Sequence, residues 1–285
     1  MALNPEAVGS VGVPYEISWT SKDALLYAVS LNVGSDQLEY VTENSTGVTQ
    51  KALPTLPVVL GYGKVPAEGN PMRNVGEFNF ANLVHASQAV TLHQPLPVEG
   101  TATVQSRVVA MYDKVKAAVI VTEADATDAA GKPLYSTRSS VFIREAGGFG
   151  GERGPSGDVN VPPTKAPDHE VTFQTGVDQA LIYRLNGDRN PLHSDPNHPA
   201  VKAGVFPRPI LHGLCTYGFT GRALLNSVCA GDADRFRHIE GRFASPVFPG
   251  DALTVKIWES GNGEALFETY VGDRKVIDQG LVRFA

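Results

Sequence analysis

The chain writes one pattern twice, and that repetition limits the folds open to it. "TSKDALLYAVSLN" (20–32) and "TGVDQALIYRLNGD" (175–188) both open on Thr-x-x-Asp and run into an Ala-Leu-Leu/Ile-Tyr segment. Such a start reads as a capping box followed by a helix. Further on, "PVVLG" (57–61) echoes "PILHG" (209–213). Each half then ends in alternating apolar segments: "TATVQSRVVAMYD", "KAAVIVTEADATD" and "STRSSVFIRE" in the first, "HIEGRFASPV", "ALTVKIWES" and "LFETYVGD" in the second. Alternation of this kind marks half-buried antiparallel strands. Two α+β repeats of similar size follow.

Between them, residues 145–170 read "EAGGFGGERGPSGDVNVPPTKAPDHE", six Gly and four Pro that sustain neither helix nor strand. The chain therefore divides into 1–144, a 145–170 linker and 171–285. The repeats differ in one respect. "GLCTYGFTGRALLNSV" in the second has the apolar spacing of a buried helix. "GYGKVPAEGNPM" in the first, with Pro66 and Pro71, excludes a long helix.

Composition closes several possibilities. Hydrophobic content of 42% with 19% charged residues is that of a globular protein, and no run reaches the roughly 18 apolar residues of a membrane span. A net charge of −6 argues against nonspecific nucleic-acid binding. Cys215 and Cys229 give neither a disulfide framework nor a zinc spacing. "MALNPEAVGSVG" lacks a secretory pattern and "VRFA" is no peroxisomal tripeptide, so a cytoplasmic location is expected.

One stretch exceeds what a turn needs: "YRLNGDRNPLHSDP" (183–196). The expected helix from Asp178 to Leu185 stops at Asn186-Gly187, suited to a left-handed cap. A turn of this kind aims Asp188 and His193 to one side of the loop. A lone Asp here would be an ordinary turn former; the whole string with a His at fixed spacing is not. His193, Asp195 and His198 make a poor metal site because Pro196 and Pro199 break any shared helical face. No Gly-x-Ser-x-Gly occurs, and Cys215 lies on the apolar side of the expected helix.

The stretch resembles the hydratase 2 motif of the MaoC-like (R)-specific enoyl-CoA hydratases, and "AGVFPRPILHGLCTYG" (203–218) looks like the second block of that family. The resemblance implies a double hot-dog fold, two antiparallel sheets each meant to wrap a helix, with only the second keeping it. It implies reversible syn addition of water to a trans-2-enoyl-CoA, giving a (3R)-3-hydroxyacyl-CoA. By carry-over, Asp188 and His193 are the acid–base pair, both able to accept a hydrogen bond from one water at neutral pH. Asn190 orients the pair or the water, or holds the turn. Gly213, opening the buried helix, supplies an oxyanion N–H. No cofactor or metal is implied beyond the coenzyme A thioester substrate, and a homodimer is expected. Arg184, Arg189, Lys202 and Arg208 outnumber the nearby Asp188 and Asp195 and are candidates for the coenzyme A phosphates.

The first repeat lacks a second pair: aligning Tyr27 with Tyr183 sets Asn32 opposite Asp188 and Gln37 opposite His193, a one-residue shift sets Val33 and Leu38 there, and neither register supplies an Asp–His pair. Its strand segments still carry apolar residues that need covering, so the groove left by the missing helix is expected to receive the acyl tail, with preference for medium or longer chains. The competing readings are a hot-dog thioesterase and a non-catalytic acyl-CoA binding module.

Overall fold

The first repeated helix begins where its residues require. The Thr20 side chain accepts the Asp23 N–H and the Asp23 carboxylate accepts the Thr20 N–H at 2.7 Å, closing the capping box ahead of α1 (Ser21–Val29). The second repeat departs from this. Thr175 gives its hydroxyl to the Asp251 carbonyl instead, and Asp178 caps nothing with its side chain. Gln179 takes over, accepting the Gly176 N–H. The helix expected over 178–185 is shorter, α3 (Gln179–Tyr183), followed by a 3-10 turn (Arg184–Asn186). Gly187 closes it at φ 125°, outside the left-handed helical range expected for the cap.

The computed structural model describes residues 3–285. The first repeat supplies β1 (Tyr15–Trp19), β2 (Leu83–Leu92), β3 (Gly100–Asp113), β4 (Ala117–Thr127) and β5 (Pro133–Arg144). The second supplies β6 (His169–Gln174), β7 (Phe236–Phe243), β8 (Ala252–Gly261), β9 (Glu264–Val271) and β10 (Arg274–Phe284). All ten form one antiparallel sheet in the order β1-β3-β4-β5-β2-β7-β10-β9-β8-β6. Each strand of the second half occupies the mirror position of its counterpart in the first. The halves join through β2 and β7, from Ser87 opposite Arg242 to Thr91 opposite His238. This is a double hot-dog. The linker has no regular structure until β6, which takes its last two residues, His169 and Glu170. Gly148 and Gly150 donate to the Asp113 carboxylate and pin the linker to the first repeat.

The sixteen-residue helix α5 (Gly213–Val228) fills the second repeat. It is buried on nearly every side because it also packs on the first repeat. Gly218 and Gly221 permit this: a Cβ on Gly218 would lie 2.7 Å from Leu31, and one on Gly221 2.5 Å from Thr55. Arg222 reaches across to the carbonyls of Leu31 and Asn32 and to Gln37, while stacking on Phe173 at 4.6 Å. Gln37 also donates to Asn226, and Asn32 to the Gln174 carbonyl. The positions facing Asp188 and His193 in the repeat alignment thus brace the two halves together.

The first repeat has no long helix in the equivalent place. Short 3-10 turns, Leu56–Val58, Ala67–Gly69 and Pro71–Asn74, cross its sheet instead. They leave a cavity of about 310 Å³ against β2, β3, β4 and β5. Its wall is not the apolar surface expected from strand alternation. Gln88, Ser139 and Thr122 lie in register across three strands, and Thr137 and Ser106 flank Ala124 in the next row.

Candidate active site

The loop that carries Asp188 and His193 is built from local hydrogen bonds. The Asp188 carboxylate accepts the Asn190 N–H at 3.1 Å, and the Asn190 side chain accepts the Leu192 N–H at 3.1 Å. Asn190 thereby opens a 3-10 turn (Pro191–His193), with Pro191 at its first position. Its carbonyl oxygen is occupied in holding the turn, leaving the exposed amide group for any part in orienting water.

His193 Nδ1 donates to the Ile210 carbonyl at 3.0 Å. That bond fixes the tautomer and leaves Nε2 as an acceptor. Burial lowers the His193 pKa, outweighing the raising effects of Ile210 and Asp188. The ring stacks on His212, centroids 3.9 Å apart and planes at 27°. His212, just before α5, donates from Nε2 to the Asp188 carbonyl at 3.2 Å and is pushed down to about 4 by burial and by His193. His212 thus packs on His193 and ties down the backbone at Asp188.

Gly213 opens α5, and among the described residues its N–H has no acceptor. The positive end of the helix therefore faces the same region as Asp188 and His193. Phe243 sits where a side chain would go, 3.3 Å from an added Cβ.

Two residues of the first repeat reach this site, and the sequence did not single out either. The Tyr62 hydroxyl lies beside Asp188, burial and the Asp188 charge raise its pKa, and Gly187 packs on the Tyr62 backbone and Cβ, 3.2 Å from an added Cβ. His85, on β2, packs against Phe243 at 4.9 Å and feels the Asp188 charge. Burial holds the His85 pKa down at about 4. Nothing local in the sequence marks them, because both arrive through pairing of distant strands and loops.

The candidate phosphate cations differ in surroundings. Arg208 is exposed, stacked on Phe248 at 5.0 Å and donating to the Pro249 carbonyl. Arg189 and Lys202 are exposed, whereas Arg184 is half-buried and its Nε is without a partner among the described residues.

Asp188, His193 and His212 present donor atoms within 4.8 Å of one another, a spacing that invites a metal. The rings do not fit one. An ion lies near the plane of every imidazole that binds it, and rings stacked this closely share no such point. His212 Nε2 and His193 Nδ1 are also already donating to carbonyls.

Family models match along most of the chain: the MFE-2 hydratase 2 N-terminal domain over residues 17–145 and the MaoC like domain over residues 158–279. The chain is 42% identical to 3-hydroxyacyl-thioester dehydratase Y of Mycobacterium tuberculosis, covering 100% of this chain and 99% of that protein. It is 38% identical to a probable enoyl-CoA hydratase 2 of Dictyostelium discoideum, over 90% of this chain and 87% of that one. The crystal structure of a MaoC-like dehydratase from Phytophthora capsici superposes with a TM-score of 0.88 at 32% identity, covering 99% and 98% of the two chains. The fold and these likenesses define a MaoC-like lyase. The chain belongs to the hydratase 2 family of MaoC-like dehydratases.

The histidines set an acid limit. All three have lowered pKa values, so protonation favours the unfolded chain, where an ordinary His titrates near 6.5. Stability should be full above about pH 6.5 and fall as the pH drops toward about 4. For His193 as base, the acid limb of kcat/KM should lie below about 6.5. Melting temperatures and rates across pH 4–8 test both; an acid limb above about 7 would contradict this assignment of the base.

Proposed function

We propose that this chain is an (R)-specific enoyl-CoA hydratase, adding water reversibly across the C2=C3 bond of a trans-2-enoyl-CoA. The observation that carries the reading is the meeting of the Asp188 carboxylate and the His193 acceptor nitrogen beside the free N–H of Gly213. A water between Asp188 and His193 loses a proton to the pair as its oxygen bonds to C3. The π electrons move toward the thioester carbonyl, whose oxygen takes the charge and a hydrogen bond from Gly213. The proton returns to C2 on the same face. Dehydration is the reverse.

The names of the relatives, a thioester dehydratase and an enoyl-CoA hydratase 2, support this reaction over thioester hydrolysis and over a purely binding role. In this reading Arg184, Arg189, Lys202 and Arg208 are candidates for the coenzyme A phosphates, and the acyl tail enters the cavity of the first repeat. The enzyme works in the cytoplasm as a homodimer. Among the described residues no helix is long and apolar enough to cross a membrane.

The deciding experiment is incubation with a short trans-2-enoyl-CoA, following loss of the conjugated absorbance and then the chirality of the hydrolysed product. The (3R) alcohol is expected; mainly (3S) alcohol, or free coenzyme A without hydration, would overturn the assignment. The stacked imidazoles lead us to expect undiminished activity after dialysis against a chelator. Loss restored by one added metal would return Asp188, His193 and His212 to the role of ligands.

A further inference from the structure

The cavity of the first repeat is separated from the candidate site by Tyr62. Tyr62 lines the cavity and also lies beside Asp188. On another side it is lined by Gln88, three residues along β2 from His85, which packs on Phe243 beside Gly213. A substrate with its thioester at Gly213 has this space for its tail beyond Tyr62.

The chain that crosses the sheet lines this space with apolar Val58, Leu60 and Val65, and the sheet adds Val104 and Tyr135 beside a polar belt of Gln88, Ser139, Thr122, Thr137 and Ser106. The apolar cluster of Ile120, Val108, Ala118 and Ile143 lies further along the same strands, outside the lining. Thr122 and Ser139 bond to each other at 3.0 Å, which uses one O–H and leaves the other hydroxyl proton unspent. Among the described residues no hydrogen bond engages the Thr137 hydroxyl.

A plain hydrocarbon tail laid over this belt would strip water from the hydroxyls and return nothing, which is costly for buried polar groups. A tail carrying its own hydroxyl or carbonyl oxygen would replace those hydrogen bonds. Resting on the hydratase reading above, we propose that the first-repeat cavity selects enoyl thioesters with an oxygen substituent on the acyl chain, the belt of Thr122, Thr137 and Ser139 supplying the recognition.

The test compares trans-2-decenoyl-CoA with isomers hydroxylated at mid-chain and at the terminal carbon, using a four-carbon enoyl-CoA to verify the chemistry. In the wild type at least one hydroxylated isomer should exceed the plain chain in kcat/KM by about tenfold, the worth of a good hydrogen bond. In Thr137→Val, Ser139→Ala that ratio should fall close to unity; should the double variant not fold, Thr137→Val alone should reduce it. Dissociation constants of the corresponding saturated acyl-CoA pairs give the same ratio without turnover. A plain chain that matches or beats every hydroxylated isomer in the wild type, in rate and in binding, would overturn the proposal, as would a variant that keeps the wild-type ratio. Failure to hydrate the four-carbon substrate would sink the hydratase reading instead, leaving the binding ratio to decide on the cavity.

Discussion

Asp188→Asn and His193→Gln should each lower kcat by about 10²–10⁴, the usual worth of a positioned acid–base group, with little change in melting temperature. Asn retains the shape of Asp188 and its hold on the Asn190 N–H but has no basic oxygen. Gln at 193 loses the imidazole acceptor that the Ile210 carbonyl orients. Because both groups hold one water, their losses should not add: the double variant should be about as slow as the worse single one. Purified variants assayed for hydration and for reverse dehydration decide this. A fully active Asp188→Asn would remove that carboxylate from the chemistry. Multiplying losses would show two separate steps.

The second large effect is on stability. Gly221→Val should cost about 1–3 kcal/mol by overpacking, or several degrees of melting temperature for a chain this size. The added Cβ would lie 2.5 Å from the Thr55 methyl group, and Thr55 belongs to the buried 52–59 segment with little room to yield. Gly221→Ala sets two effects against each other. Alanine gains about 1 kcal/mol of helix propensity but meets the same clash, so it should still destabilise. A rise in melting temperature for Gly221→Ala would show that the two repeats do not touch as closely as α5 and Thr55 require.

What the sequence disclosed was local. The turn chemistry of Asn186 to His193 and the capping box at Thr20 are written in residues a few positions apart, where rigid Pro and short polar side chains leave few conformations. The site also needs partners that no local pattern names. His85 lies on β2, whose "LVHASQAVTL" carries Gln88 on the cavity side and so reads as a weak strand. It is a strand because β5 and β7 pair with it. The cavity wall was misread for a related reason. Alternation shows which residues share a face, not that all of them are apolar: Ala118, Ile120, Thr122, Ala124 and Ala126 share one face of β4, in unbroken register with β5. The apolar residues at the two ends of that face belong to two clusters, with Thr122 between them.

The braces across the two repeats hold the halves to one another. Tyr27 and Tyr183, the matching tyrosines of the repeats, pack 6.3 Å apart where the two halves meet. Asn32 and Gln37 now serve Gln174, Arg222 and Asn226. Restoring an Asp and a His there would not revive a second site; it would take the acceptor from a guanidinium that is 6% exposed. Nor is the second repeat independent of the first, because Arg222, Gly218 and Gly221 pack against it. With Asn32 and Gln37 committed to these contacts, the first repeat is a structural requirement of the second.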